Sequence, residues 1–172
     1  ERTPQSGSHP FSEPETLALY DLSMNRSFHH NLSVHSGAVN LGWVWNFQTG
    51  VSPDEDWFRF VGEQYLASTS SPEFWITNGA QWYMVNGEAT DWLYGTRGGH
   101  DYTLEVSVEK APPTATIPDL VEHHIDSVLG FFTTPGLRGR ITDAQGNGLE
   151  ASVSIGTAGA AMLSDPLTGA FF

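Results

Sequence analysis

The chain of 172 residues contains no cysteine. That excludes a disulfide framework, a thiol nucleophile and any cysteine-ligated zinc or iron–sulfur centre. Basic residues are scarce, with 7 Lys and Arg against 20 Asp and Glu and a formal charge of −13. Nucleic acid and anionic membrane surfaces both need a basic patch, so neither is expected as a partner. The acidity favours solubility and a solvated surface, and it would attract cationic ligands only weakly. No run approaches the roughly 18 apolar residues of a membrane-spanning helix. There is no initiating Met and no signal peptide, and the chain stops on the strand-like Gly169-Ala170-Phe171-Phe172, so both ends read as cuts. No repeat or low-complexity segment stands out.

What is abundant is aromatic. The chain is 39% hydrophobic and 12% aromatic, enough for a packed core and unlike a disordered segment. Six tryptophans, Trp43, Trp45, Trp57, Trp75, Trp82 and Trp92, crowd the middle of the chain. Aromatics this dense fill a core or line a cleft.

Residues 1–13 read as a loop, and a helix is expected from Pro14, capped near Ser12 or Glu13 and striped by Leu17, Leu19, Tyr20 and Met24. Residues 28–35 alternate as a strand, and residues 39–47 are strand or irregular. A helix over 54–68 opens on Asp54, Glu55 and Asp56, with Trp57, Phe58, Val61, Tyr65 and Leu66 at roughly helical spacing. Residues 70–100, with Gly79, Gly87, Gly95, Gly98 and Gly99, read as a long functional loop. A strand follows over 101–109, then a helix from Pro118 to Phe132 with a stripe of Leu120, Val121, Ile125, Val128, Leu129 and Phe132. Alternating strands and helices predict an α/β sheet. Beyond Thr133-Thr134-Pro135-Gly136 the texture turns to short strands and turns, which places a domain boundary near 134. The 38 residues after it are too few for a whole β-sandwich.

Among seven histidines none forms a compact metal motif. His29 and His30 point to opposite strand faces, as packing or surface residues. His123 and His124 are expected on a solvated helix face. His35 ends its strand at Ser36-Gly37, where the edge of an α/β sheet binds ligands, so a metal or catalytic role is open beside a bland one. Glu105 lies between Leu104 and Val106. Either Thr103, Glu105 and Ser107 form an exposed face, or a carboxylate is buried at a cost of several kcal/mol. Tyr83, in the loop Trp82–Gly87, either packs or caps a ligand.

These pieces occur in an order that resembles the zinc metallocarboxypeptidases, in their carboxypeptidase E/N/D-like branch. The order is Ser12-Glu13-Pro14-Glu15-Thr16, Leu32-Ser33-Val34-His35-Ser36-Gly37, Trp82-Tyr83 followed by Asp91-Trp92, Tyr102-Thr103-Leu104-Glu105-Val106-Ser107 and Lys110-Ala111-Pro112-Pro113. The tail Gly139 to Asn147 is similar to the transthyretin-like domain that follows the catalytic domain there. The resemblance implies the C-terminal part of a mixed-sheet α/β/α catalytic domain over residues 1–134, then the start of a β-sandwich over 135–172. It makes His35 a zinc ligand, Glu105 the general base, Tyr83 the mobile tyrosine that closes over the substrate, and Asn46 and Thr90 linings of the pocket for the last side chain.

The implied chemistry is hydrolysis at the C-termini of peptides or proteins. A catalytic zinc keeps three protein ligands and one open position, and it lowers the pKa of bound water. A carboxylate in reach takes the proton and gives it to the leaving amine. The family's His-x-x-Glu pair is absent, so two of the three zinc ligands are expected outside this chain, which alone should be inactive. The arginine and Asn-Arg pair that grip the substrate carboxylate are expected upstream too, and Asn25-Arg26 is not that pair. At Asn46 the members that remove Lys or Arg carry an acid; Glu88 is the nearest replacement charge. The protein is expected to be secreted, extracellular or periplasmic, and the absence of cysteine fits a bacterial source. The rival expectation is an inactive relative that binds peptide or carbohydrate, the latter through a flat exposed row of tryptophans.

Overall fold

The computed structural model describes residues 7–156 and 159–172, so the first six residues of the expected N-terminal loop lie outside the described ones. The elements are α1 (Pro14–Asn25), β1 (His30–His35), β2 (Ala38–Trp43), α2 (Glu55–Ser68), β3 (Trp75–Asn78), α3 (Gly79–Trp82), α4 (Ala89–Arg97), β4 (His100–Ser107), α5 (Ile117–Thr133), and the short strands β5 (Gly139–Arg140), β6 (Ser152–Val153), β7 (Met162–Leu163) and β8 (Ala170–Phe171). The main sheet is mixed, in the order β1-β4-β2-β3. β1 runs parallel to β4, β4 antiparallel to β2, and β2 parallel to β3.

Alternation along the strands divides the sheet into two faces. Leu41 and Trp43 of β2 and Tyr102 and Leu104 of β4 point to one face, where they pack with Phe58, Val61 and Tyr65 of α2 and Phe131 of α5 in one hydrophobic cluster. Large side chains buried on both sides of one layer supply the main driving force. α2 begins with Glu55 and Asp56 in its first turn, where carboxylates favour the helix dipole, and Glu55 also accepts a 3.0 Å hydrogen bond from Trp43 Nε1.

Several expectations change. The segment 70–100 is not a long loop, because it holds β3, α3 and α4. Its glycines concealed them: Gly98 ends α4 in the left-handed region at φ 71°, as a helix C-terminus favours, and Gly95 gives room to the Trp45 ring. The stripe on α1 is not buried, with Leu17 and Met24 exposed and only Ser23 buried in that helix. α5 buries His124, Ser127 and Phe131, whereas Val121, Ile125, Leu129 and Phe132 of the expected stripe are exposed. Hydrogen bonds decide this orientation. His124 Nδ1 meets Tyr65 Oη at 3.0 Å, and Ser127 Oγ accepts from Ser68 Oγ at 2.9 Å, so the polar side of α5 seats on α2. His124 is therefore a buried partner and not part of a solvated face. His29 and His30 pack as expected: His29 Nε2 lies 2.8 Å from the Leu163 carbonyl, and the His30 ring lies 4.1 Å from that of Phe131.

After α5 the chain forms two antiparallel pairs, β5 with β8 and β6 with β7. They are tied back to the main sheet's surroundings. Asp165 accepts from Arg26 Nε at 2.7 Å and from the Ser27 amide at 3.1 Å, and Arg97 pairs with Glu150 at 2.6 Å.

Candidate active site

The second face of the sheet is the floor of a pocket. Register places residues in rows across the strands. His35, Glu105, Asn40 and Trp75 form one row, and Ser33, Thr103, Gly42 and Thr77 form the next. The first three residues of each row line a cavity of about 350 Å³. Its walls come from Asn46, Gly79, Trp82, Tyr83, Val85, Glu88, Ala89 and Thr90. The five residues singled out from the sequence, His35, Asn46, Tyr83, Thr90 and Glu105, therefore meet around one cavity.

His35 is exposed at the end of the edge strand β1. The chain then turns through Gly37, whose φ of +138° suits glycine and whose amide donates to the Ser107 carbonyl at 2.7 Å. Glu105 shares its face with Thr103 and Ser107 as the alternation requires, but that face is not solvent. Glu105 is only 8% exposed, and its Oε2 has no hydrogen-bond partner. A buried carboxylate oxygen left free in a cleft is costly for folding and available for chemistry.

Asn46 is held by Asp91. The Asp91 carboxylate accepts from the Asn46 amide, from Asn46 Nδ2 at 3.0 Å and from the Phe47 amide at 3.1 Å. Asn46 Nδ2 also donates to Thr90 Oγ1 at 3.1 Å, so Asn46 and Thr90 form one wall as a unit. The aspartate eight residues after Tyr83 is thus a brace for the pocket. A Cβ on Gly79 would collide with Asn46 Oδ1, which explains glycine where α3 begins.

Tyr83 is exposed at the mouth, its ring 4.6 Å from that of Trp82. Partial burial and the charges of Glu88 and Glu105 push its phenol above the ordinary value. Glu88 stands in the wall with Thr90 Oγ1 donating to it at 3.2 Å. Burial raises its pKa, and that hydrogen bond offsets part of the rise. The tryptophans do not form a flat row. Trp43 is in the core, Trp82 lines the cavity, and Trp75 meets Trp82 edge-on at 87°.

Sequence reasoning passed over two residues. Asn40 is 1% exposed beside Glu105, and the only signal for it was a polar residue interrupting Val39-Asn40-Leu41. Asp101 is 2% exposed with Oδ1 unpartnered, on the same face as Glu105 and four residues before it. Burial pushes its pKa up to about 7. A carboxyl raised in the folded state destabilises the fold increasingly as pH climbs from its unfolded value to its folded one. Asp101→Asn should therefore raise the melting temperature at pH 8 and change it little at pH 4. Melting curves at the two pH values check this, and equal shifts at both would contradict the burial argument.

Among the described residues, no three His, Cys, Asp or Glu side chains converge into a metal-binding group. A catalytic zinc needs three protein ligands. The described residues do not meet that need by themselves, and His35 offers one donor. No helix is long and apolar enough to cross a membrane among the described residues.

Comparison with known proteins bears on the fold and the family. Carboxypeptidase SOL1 of Arabidopsis thaliana is 30% identical over 144 residues, covering 75% of this chain and 29% of that protein. Carboxypeptidase D of Anas platyrhynchos is 30% identical over 163 residues, covering 80% of this chain and 12% of its own length. The chain thus spans less than a third of either relative. Among solved structures, thrombin activatable fibrinolysis inhibitor superposes with a TM-score of 0.68 at 19% identity, covering 74% of this chain and 34% of that one. The carboxypeptidase A of Helicoverpa armigera gives 0.63 at 16%, covering 74% and 35%. These two likenesses establish the α/β fold with its mixed sheet. The sequence model of the zinc carboxypeptidases matches residues 2–127, nearly all of the chain up to the end of α5, and on that match the chain belongs to the zinc carboxypeptidase family.

Proposed function

We propose that the protein to which this chain belongs is a zinc-dependent carboxypeptidase that removes C-terminal residues from peptides or proteins. The observation that carries the reading is the buried, unpartnered Glu105 carboxylate beside His35 on the cavity floor. Glu105 takes a proton from the attacking water as its oxygen bonds to the scissile carbonyl carbon. It returns that proton to the leaving nitrogen as the C–N bond breaks. Asn46 and Thr90 form the wall that receives the terminal side chain, and the exposed Tyr83 folds over the bound end. His35 is one ligand of the metal, and the remaining ligands lie outside the described residues. Without them the chain alone is inactive.

In the intact protein, release of a C-terminal amino acid from a synthetic peptide should stop on treatment with a chelator and return with zinc. Release that persists without metal would refute the zinc-dependent reading. His35→Ala should lower bound zinc, measured by elemental analysis, and remove activity with it. Unchanged zinc content would sink the ligand assignment.

The same reading takes residues 1–134 as the C-terminal portion of the catalytic domain and residues 135–172 as the opening of a transthyretin-like β-sandwich. It places the protein outside the cytoplasm, secreted or periplasmic. The relatives named above come from a plant and a bird, which lends no support to the bacterial source expected from the sequence. The edge-on tryptophans disfavour the rival carbohydrate-binding module, which needs a flat platform.

A further inference from the structure

Two orphaned atoms share the cavity floor. Glu105 Oε2 and Asn40 Nδ2 are both buried, and neither has a hydrogen-bond partner. The residues stand directly opposite each other in the β2–β4 ladder, where Cβ atoms are about 4.5–5.5 Å apart. Both line the cavity. One is a donor and the other an acceptor, complementary in kind although they do not bond to each other in this structure.

Folding gives no reason for asparagine here. Its neighbours in β2 are Val39 and Leu41, and an apolar side chain of similar shape would spare a buried amide its lost hydrogen bond. Places where a sequence breaks its local rule without structural gain are concentrated at functional sites. The other groups around Glu105 do not serve instead. His35 on β1, Tyr83 at the mouth and Lys110 behind Gly37 leave Oε2 without a donor, and Glu88 is itself an acceptor when ionised. The amide of Asn46 is already committed to Thr90 and Asp91.

We infer that Asn40 is a positioning residue of the proposed peptidase reaction: its side-chain amide, unbonded in this structure, turns to donate to the Glu105 carboxylate during the reaction and holds it aimed at the reacting water. The inference rests on the peptidase reading above. It requires that removing the donor act on turnover, because the pocket walls that hold the substrate are unchanged.

The test uses the intact protein, with kcat and KM measured separately on one peptide for Asn40→Leu, Asn40→Asp and Asn40→Gln. Asn40→Leu should lower kcat by about ten- to a hundredfold, the loss usual for a residue that orients an active-site group, with little change in KM. Its melting temperature should hold or rise, because a buried unpaired amide is gone. Asn40→Asp, which sets a second carboxylate against Glu105, should lose more. Asn40→Gln keeps the donor on a longer arm and should retain more kcat than Asn40→Asp, a comparison that stands even if the leucine variant fails to fold. An unchanged kcat in Asn40→Leu, a loss confined to KM, or equal kcat in the Asp and Gln variants would each overturn the role of Asn40 alone. Absence of hydrolysis by the unsubstituted protein would overturn the peptidase reading and this inference with it.

Discussion

Glu105→Gln should reduce turnover of the intact protein by about 10²- to 10⁴-fold, the range in which a positioned general base contributes. Glutamine fills the same volume but cannot accept the proton, so the lost step is chemical. Binding should survive, because the walls formed by Asn46, Thr90 and Tyr83 are untouched. Stability should not fall, since the variant removes a buried carboxylate whose Oε2 has no partner. Steady-state rates, peptide binding by calorimetry and a melting curve separate these effects. A variant that keeps its activity would remove Glu105 from the mechanism, while one that melts much earlier would give the carboxylate a structural role.

The second large effect is on folding. Trp43→Ala should destabilise the chain's fold by about 3–5 kcal/mol, the usual loss for a fully buried large aromatic. Trp43 is 1% exposed, lies at the centre of the cluster between the sheet and α2, and touches Gly62 so closely that a Cβ there would sit 3.2 Å from its ring. Truncation also frees Glu55, which accepts from the Trp43 indole, so a polar partner is orphaned beside the new cavity. Small domains are stable by only about 5–15 kcal/mol, so the variant should lose much of its margin. The midpoint of urea unfolding measures the loss. A shift near zero would mean that the surrounding side chains close over the space.

How much of this was legible in the sequence differed by element. β4 and α2 were readable because their periodicities are unbroken, and α5 because its length and apolar content allowed nothing else. Which side of α5 faces inward was not readable. Hydropathy favours Val121, Ile125 and Leu129, yet His124 and Ser127 make the hydrogen bonds to α2, and a sequence does not display bonds between distant elements. β3 and α4 were hidden by glycines that terminate or accommodate helices as readily as they loosen loops. At the site, His35, Tyr83 and Glu105 were found through their order along the chain, and Glu105 also through its conflict with apolar neighbours. Asn40 and Asp101 gave the same kind of conflict in weaker form, and only the register showed that they stand near Glu105 or on its face. The bracing of Asn46 by Asp91 joins residues 45 apart, beyond any local pattern.

The row across the strands has a practical corollary for anyone refolding the protein. Side chains in a strand alternate, so slipping β4 by one residue against its neighbours would turn Glu105 into the core and bring Leu104 to the cavity floor. No intermediate arrangement retains a partly aimed carboxylate. A heterogeneous preparation should then behave as a mixture of fully competent and wholly dead molecules. Its specific activity would count the correctly registered fraction, and titrating active sites would give a truer concentration than absorbance.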